Sequence, residues 1–167
     1  MQAVGFSALQ AEFAGLIAAA FMLFFMLLGA RVADQINRRT VLFIASSALL
    51  VLALPYFLLI NTHRFPLAAL AEILVLGFVF GFGYGAIPTF YTENFPIRYR
   101  ASGASAAYQI SQVYGGGLLP IVAGFLLAHL GIHRAYLAIG LLVMLYAVLA
   151  LIAIARTPEN KDVDLSV

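Results

Sequence analysis

The chain has 167 residues, 64% of them hydrophobic and 10% charged, with mean hydropathy +1.03 and a formal net charge of +2. Soluble domains carry about 25% charged residues, so nine Lys+Arg and seven Asp+Glu cannot clothe a globular surface, and the chain reads as an all-α integral membrane protein whose first partner is the lipid bilayer. The basic residues form no patch, which argues against nucleic acid as a partner, and the absence of cysteine removes disulfides and thiolate metal sites.

Ser7-Ala8-Leu9-Gln10 has the form of a capping box and starts a helix. The uncharged run from Phe13 to Ala30 is roughly 27 Å long at 1.5 Å per residue, close to the hydrocarbon thickness. It gives a first span over residues 8–30 and is too long for a secretory signal. Glu12 lies one turn inside that start, where the helix dipole favours a carboxylate. A charged turn, Arg31 to Arg39, precedes a second span over 40–60, in which Pro55 predicts a kink. After Asn61 to Arg64, Pro66 opens a third span over 66–91. Its Gly77, Gly81 and Gly85 fall on one face with Pro88, which predicts close helix packing. A loop with Glu93, Arg98 and Arg100 leads to a fourth span over 101–130, bent at Pro120. A fifth over 135–155 carries no charge and is expected to face lipid over much of its surface. Residues 1–157 thus make a membrane domain of five helices, and 158–167 read as a polar tail.

Arg31, Arg38, Arg39, Arg98, Arg100, Arg156 and Lys161 share one side of this layout, against Arg64 and Arg134 on the other. The positive-inside rule places the C-terminus in the cytoplasm and the N-terminus of this chain outside. Five spans with an external start suggest that further helices precede them.

The fourth span carries the most polar atoms. At 100° per residue, Ser102, Ser105, Gln109, Gln112, Gly116 and Pro120 lie within about 80° of one another, flanked by Tyr108. Such an edge either lines an aqueous cavity or makes interhelical hydrogen bonds. Glu72, roughly 9 Å into the third span, costs at least about 2.5–3.5 kcal/mol if it faces lipid. It reads either as a protonatable or solute-linked carboxylate, or as an interfacial partner of Arg64 or Arg134.

The stretch Glu93-Asn94-Phe95-Pro96-Ile97-Arg98-Tyr99-Arg100-Ala101-Ser102-Gly103-Ala104-Ser105, with Tyr108-Gln109 and Gly115 to Pro120, resembles the helix 10–11 signature of the metabolite:proton symporter family of the major facilitator superfamily. The turn from Ala30 to Arg39 is similar to the superfamily's loop motif after helix 8, with Ala30 and Asn37 where that motif has glycine. A Cβ at 30 predicts a looser helix contact, while asparagine at 37 is tolerant of positive φ. The resemblance implies a partial C-terminal bundle, helices 8–12 of a twelve-helix transporter whose N-terminal helical half is the missing partner. It implies a bacterial inner-membrane location, a small polar solute of organic-acid or betaine type, no cofactor, and a proton as coupling ion. It adds weight to the solute path read from the polar edge, Ser105, Tyr108, Gln109 and Gln112, with Glu72 near the outer mouth, and it implies a cytoplasmic gate of Asp34, Arg38, Arg39, Glu93 and Arg100.

Two other functions fit less well. Ser105 and His129 are about 36 Å apart along one helix, too far for a nucleophile and its base, so the chain does not read as an enzyme. His63, His129 and His133 lack ligand spacing, and no metal site is expected. The alternative to transport is a non-transporting remnant or a subunit that docks on another membrane protein.

Overall fold

The structure, a computed structural model, describes residue 1 and residues 5–157, without the side chain of His133; the tail over 158–167, including Lys161, lies outside the described residues. The described residues form five helices and no strand: α1 (Ala8–Gln35), α2 (Arg38–Ile60), α3 (Phe65–Glu93), α4 (Arg100–Leu130) and α5 (Ile132–Arg156). All five are long and apolar enough to cross a membrane.

Local chemistry accounts for the boundaries. The Ser7 hydroxyl accepts from the Gln10 N–H at 3.2 Å, and the Gln10 side-chain oxygen accepts from the Ser7 N–H at 3.0 Å. This reciprocal cap starts α1. The helix then runs on through Arg31 to Gln35, because that charged stretch contains good helix formers and no breaker. Only Ile36 and Asn37 separate α1 from α2. Asn37 has φ 175°, an extended conformation, so the turn does not draw on its tolerance of positive φ. Its role is that of an N-cap, with Oδ1 accepting from the Thr40 N–H at 2.7 Å. Gly131, at φ 71°, makes the reversal between α4 and α5 a single-residue turn.

Two helices widen in their interiors into π-helical turns, at Ile73–Phe80 in α3 and Val113–Leu118 in α4. In α4 the cause is legible. A proline ring clashes with the carbonyl four residues earlier, which for Pro120 is Gly116. The wider turn sits across that position.

Packing centres on α1 and α3. Gly77, Gly81 and Gly85 lie against α1 at Ala18 and Phe21, at Met22, and at Met26 and Ala30. A Cβ on Gly81 would stand 2.7 Å from the Met22 carbonyl oxygen, and one on Gly85 would stand 2.7 Å from the Ala30 nitrogen. The contact at Ala30 is therefore tight, contrary to the expectation from its Cβ. Gly29, one position earlier, admits the Phe82 backbone.

Ala33, Val41, Leu42, Ala45, Phe82, Ala86 and Ile154 form the core at one end, drawn from α1, α2, α3 and α5. Phe6, Ile60, Ala68 and Ala71 form a smaller core at the other. One side of α5 packs on α2 and buries Ala135, Ile139, Ala147 and Ile154, while Leu137, Leu141, Leu145 and Leu149 stay exposed. α4 differs from the rest. Its first half packs on α3 and its last on α5, yet none of its residues is buried.

Candidate functional site

Three helix junctions meet at one end of the molecule. Arg38, next to the cap of α2, places Nη2 2.9 Å from Asp34 Oδ1 and Nε 3.2 Å from Glu93 Oε1 at the end of α3. The second approach is an ion-pair contact without an aligned N–H hydrogen bond. Arg38 and Glu93 are 15% and 18% exposed against 70% for Asp34, so the link from α2 to α3 is shielded and the link to Asp34 is solvated.

The other two gate candidates lie at the same end with different partners. Arg39 Nη2 donates to the Ala155 carbonyl at 2.6 Å, satisfying an orphan acceptor in the last turn of α5. Arg100 Nε donates to the Phe95 carbonyl at 3.5 Å, and its Nη2 is buried with no hydrogen-bond partner among the described residues. The structure thus gathers Asp34, Arg38 and Glu93 into one cluster and gives Arg39 and Arg100 backbone carbonyls instead.

Along α4, Ser105, Gln109 and Gln112 are exposed, and their side chains make no hydrogen bond among the described residues. Ser102 turns back to the carbonyl of Tyr99, the cap residue of α4, and Ser111 to that of Tyr108 within the helix. Tyr108 is half-buried. Its hydroxyl lies 2.9 Å from that of Tyr84 on α3, and the Tyr84 ring stacks on Phe80 with centroids 5.4 Å apart. A cleft of about 200 Å³ between α2 and α3 has Ser46 and Tyr84 as its polar lining.

Glu72 takes neither of its expected basic partners. The Tyr56 hydroxyl of α2 donates to its Oε1 at 3.0 Å. The Phe65–Glu72 segment packs on α1 and α2, so Glu72 is not brought to the polar edge of α4. His129 turns Nδ1 to the Phe125 carbonyl at 2.9 Å, and no cluster of three potential metal ligands occurs among the described residues.

The family model of the Major Facilitator Superfamily matches residues 1–166. The chain belongs to that superfamily. Its relatives include a putative metabolite transport protein of Haemophilus influenzae, 36% identical over 77% of this chain and 28% of that protein. A citrate-proton symporter of Klebsiella pneumoniae is 29% identical over 65% of this chain and 24% of its own length. A proline/betaine transporter of Escherichia coli is 34% identical over 63% of this chain and 21% of its own length. The chain therefore spans under a third of the curated relatives it matches. No solved structure matches it significantly.

Within this superfamily member, sequence reasoning missed Tyr56, Tyr84 and Gly29. Tyr56 and Tyr84 each put a hydroxyl within a locally apolar stretch of a span, beside Pro55 and between Gly83 and Gly85. Because a buried phenol usually finds a partner, those two hydroxyls were the available signal. Gly29 carried none, because its value lies in what approaches it from α3.

Proposed function

We propose that this chain supplies the C-terminal helices of a secondary active transporter, with another helical bundle forming the far wall of the solute path. The supporting observation is the unburied hydrogen-bonding edge of α4, which puts Ser105, Gln109 and Gln112 on a membrane-length helix with no buried residue. Amide groups facing hydrocarbon cost several kcal/mol each, of order 2–7, so this edge requires water or a polar partner. A neighbouring bundle across an aqueous path provides both.

The solute class and the coupling ion rest on the relatives. A citrate-proton symporter and a proline/betaine transporter point to a small polar metabolite of organic-acid or betaine type moved with protons. Glu72, held by Tyr56, is the carboxylate within the spans that this reading assigns to proton uptake.

Arg31, Arg38, Arg39, Arg98, Arg100 and Arg156 belong to the end where the charged cluster forms, and Arg64 and Arg134 to the opposite one. This supports a cytoplasmic C-terminus and an external start for this chain in a bacterial inner membrane. Asp34, Arg38 and Glu93, with Arg39 and Arg100 at neighbouring carbonyls, then act as a cytoplasmic gate. They favour one arrangement as one bundle rocks against the other.

The test is uptake by the complete gene product with a panel of carboxylate and betaine solutes. Gln112→Leu removes the amide without shortening the side chain greatly, and uptake is expected to fall while expression holds. Wild-type kinetics in that variant would remove the path from α4.

A further inference from the structure

α4 is divided mechanically. Its first half is tied to α3 and its last half to α5, while the Val113–Leu118 turn between them packs chiefly on its own flanks. Added Cβ atoms at Gly115 and Gly117 would meet nothing within 4 Å, and one at Gly116 would meet only the Gln112 side chain at 3.4 Å. Among the described residues, no neighbouring helix therefore requires these glycines. Their contribution is a compliant backbone where Pro120 has already removed a hydrogen bond.

On the N-terminal side of that turn, α4 is held in two places. Near its start, Gly103 lies flat against the Phe95 ring of the preceding loop. Further along, among the described side chains, the one hydrogen bond from α4 to another helix joins Tyr108 to Tyr84 at 2.9 Å. Tyr108 is adjacent to Gln109 and one turn from Gln112, so whatever holds Tyr108 sets where those amides stand.

We propose that the Tyr84–Tyr108 hydroxyl pair is a positioning latch, which holds the polar edge of α4 against α3 and on opening lets the first half of α4 pivot at Val113–Leu118. Two phenols carry two O–H donors, and their mutual bond uses one. Such a neutral pair is a weak tie, fit to be made and broken repeatedly. The role assigned to the edge rests on the transport reading, but the latch itself is a property of this chain.

The test needs no uptake. The chain has no cysteine, so spin labels can be placed without background on exposed Val51 of α2 and exposed Ile110 of α4. Their separation is read by double electron–electron resonance with the chain in lipid vesicles. Tyr84→Phe and Tyr108→Phe keep the rings and remove only the hydroxyls. Each is expected to move the ratio of displaced to latched α4 by roughly 2- to 12-fold, the worth of one neutral hydrogen bond. The double variant is expected to add nothing to either single one, and Tyr114→Phe, on an exposed ring, to leave the distances alone. Superimposable distributions in all variants would overturn the latch, as would additive effects of the two substitutions. A failed uptake assay with a shifted distance would instead count against the solute path and leave the latch standing.

Discussion

Gly85→Ala is the sharpest test of how α1 and α3 are joined. The new methyl would meet three backbone atoms of α1: the Met26 oxygen, the Ala30 nitrogen at 2.7 Å and the Gly29 carbonyl carbon at 3.2 Å. Ordinary contact begins at about 3.5 Å, so the helices must part by the better part of an ångström, and no rotamer change can relieve backbone against Cβ. Overpacking of this kind costs roughly 1–3 kcal/mol. The same substitution returns up to about 1 kcal/mol in helix propensity, leaving a net loss of up to about 2 kcal/mol, and a larger gap to a glycine that gains the propensity without the clash. Gly15→Ala is the matched control, since a Cβ there meets nothing within 4 Å and only the favourable propensity remains. The assay is reversible unfolding in mixed micelles, followed by helicity as the denaturing detergent fraction rises. If Gly85→Ala were as stable as Gly15→Ala, the glycine face would not be the contact that sets the α1–α3 distance.

Glu93→Gln is expected to lower stability by about 1–3 kcal/mol, because the shielded Arg38 loses its charged partner on α3 and keeps only the solvated Asp34. Asp34→Asn is expected to cost under about 1 kcal/mol, its partner being solvated, yet in the complete transporter it should reduce turnover more than half-saturation concentration. An effect confined to affinity would contradict the gate. Tyr56→Phe removes the donor to Glu72 and is expected to cost about 1–3 kcal/mol in the same unfolding assay. In the complete transporter, Glu72→Gln is expected to flatten the pH profile of uptake, and an unaltered profile would dismiss Glu72 as the proton site. Asn37→Ala should lose about 0.5–2 kcal/mol through the missing cap on α2, measured by the same unfolding.

Residue order by itself determined a great deal here. Hydrophobic runs about as long as the bilayer core is thick required helices, since only a helix satisfies its own backbone in lipid at that length. The Ser7 box, the glycine face of α3 and the polar edge of α4 were all legible, because each depends on spacing along one helix. Pairings between helices depend on rotation and depth, which no single run encodes. Hence only the tertiary structure decided that Glu72 takes Tyr56 and neither arginine, that Asn37 caps instead of turning, and that Arg38 gathers Asp34 and Glu93 while Arg39 reaches Ala155. It also decided that Tyr84 meets Tyr108, for two hydroxyls can face each other only once the helices that carry them have been set side by side.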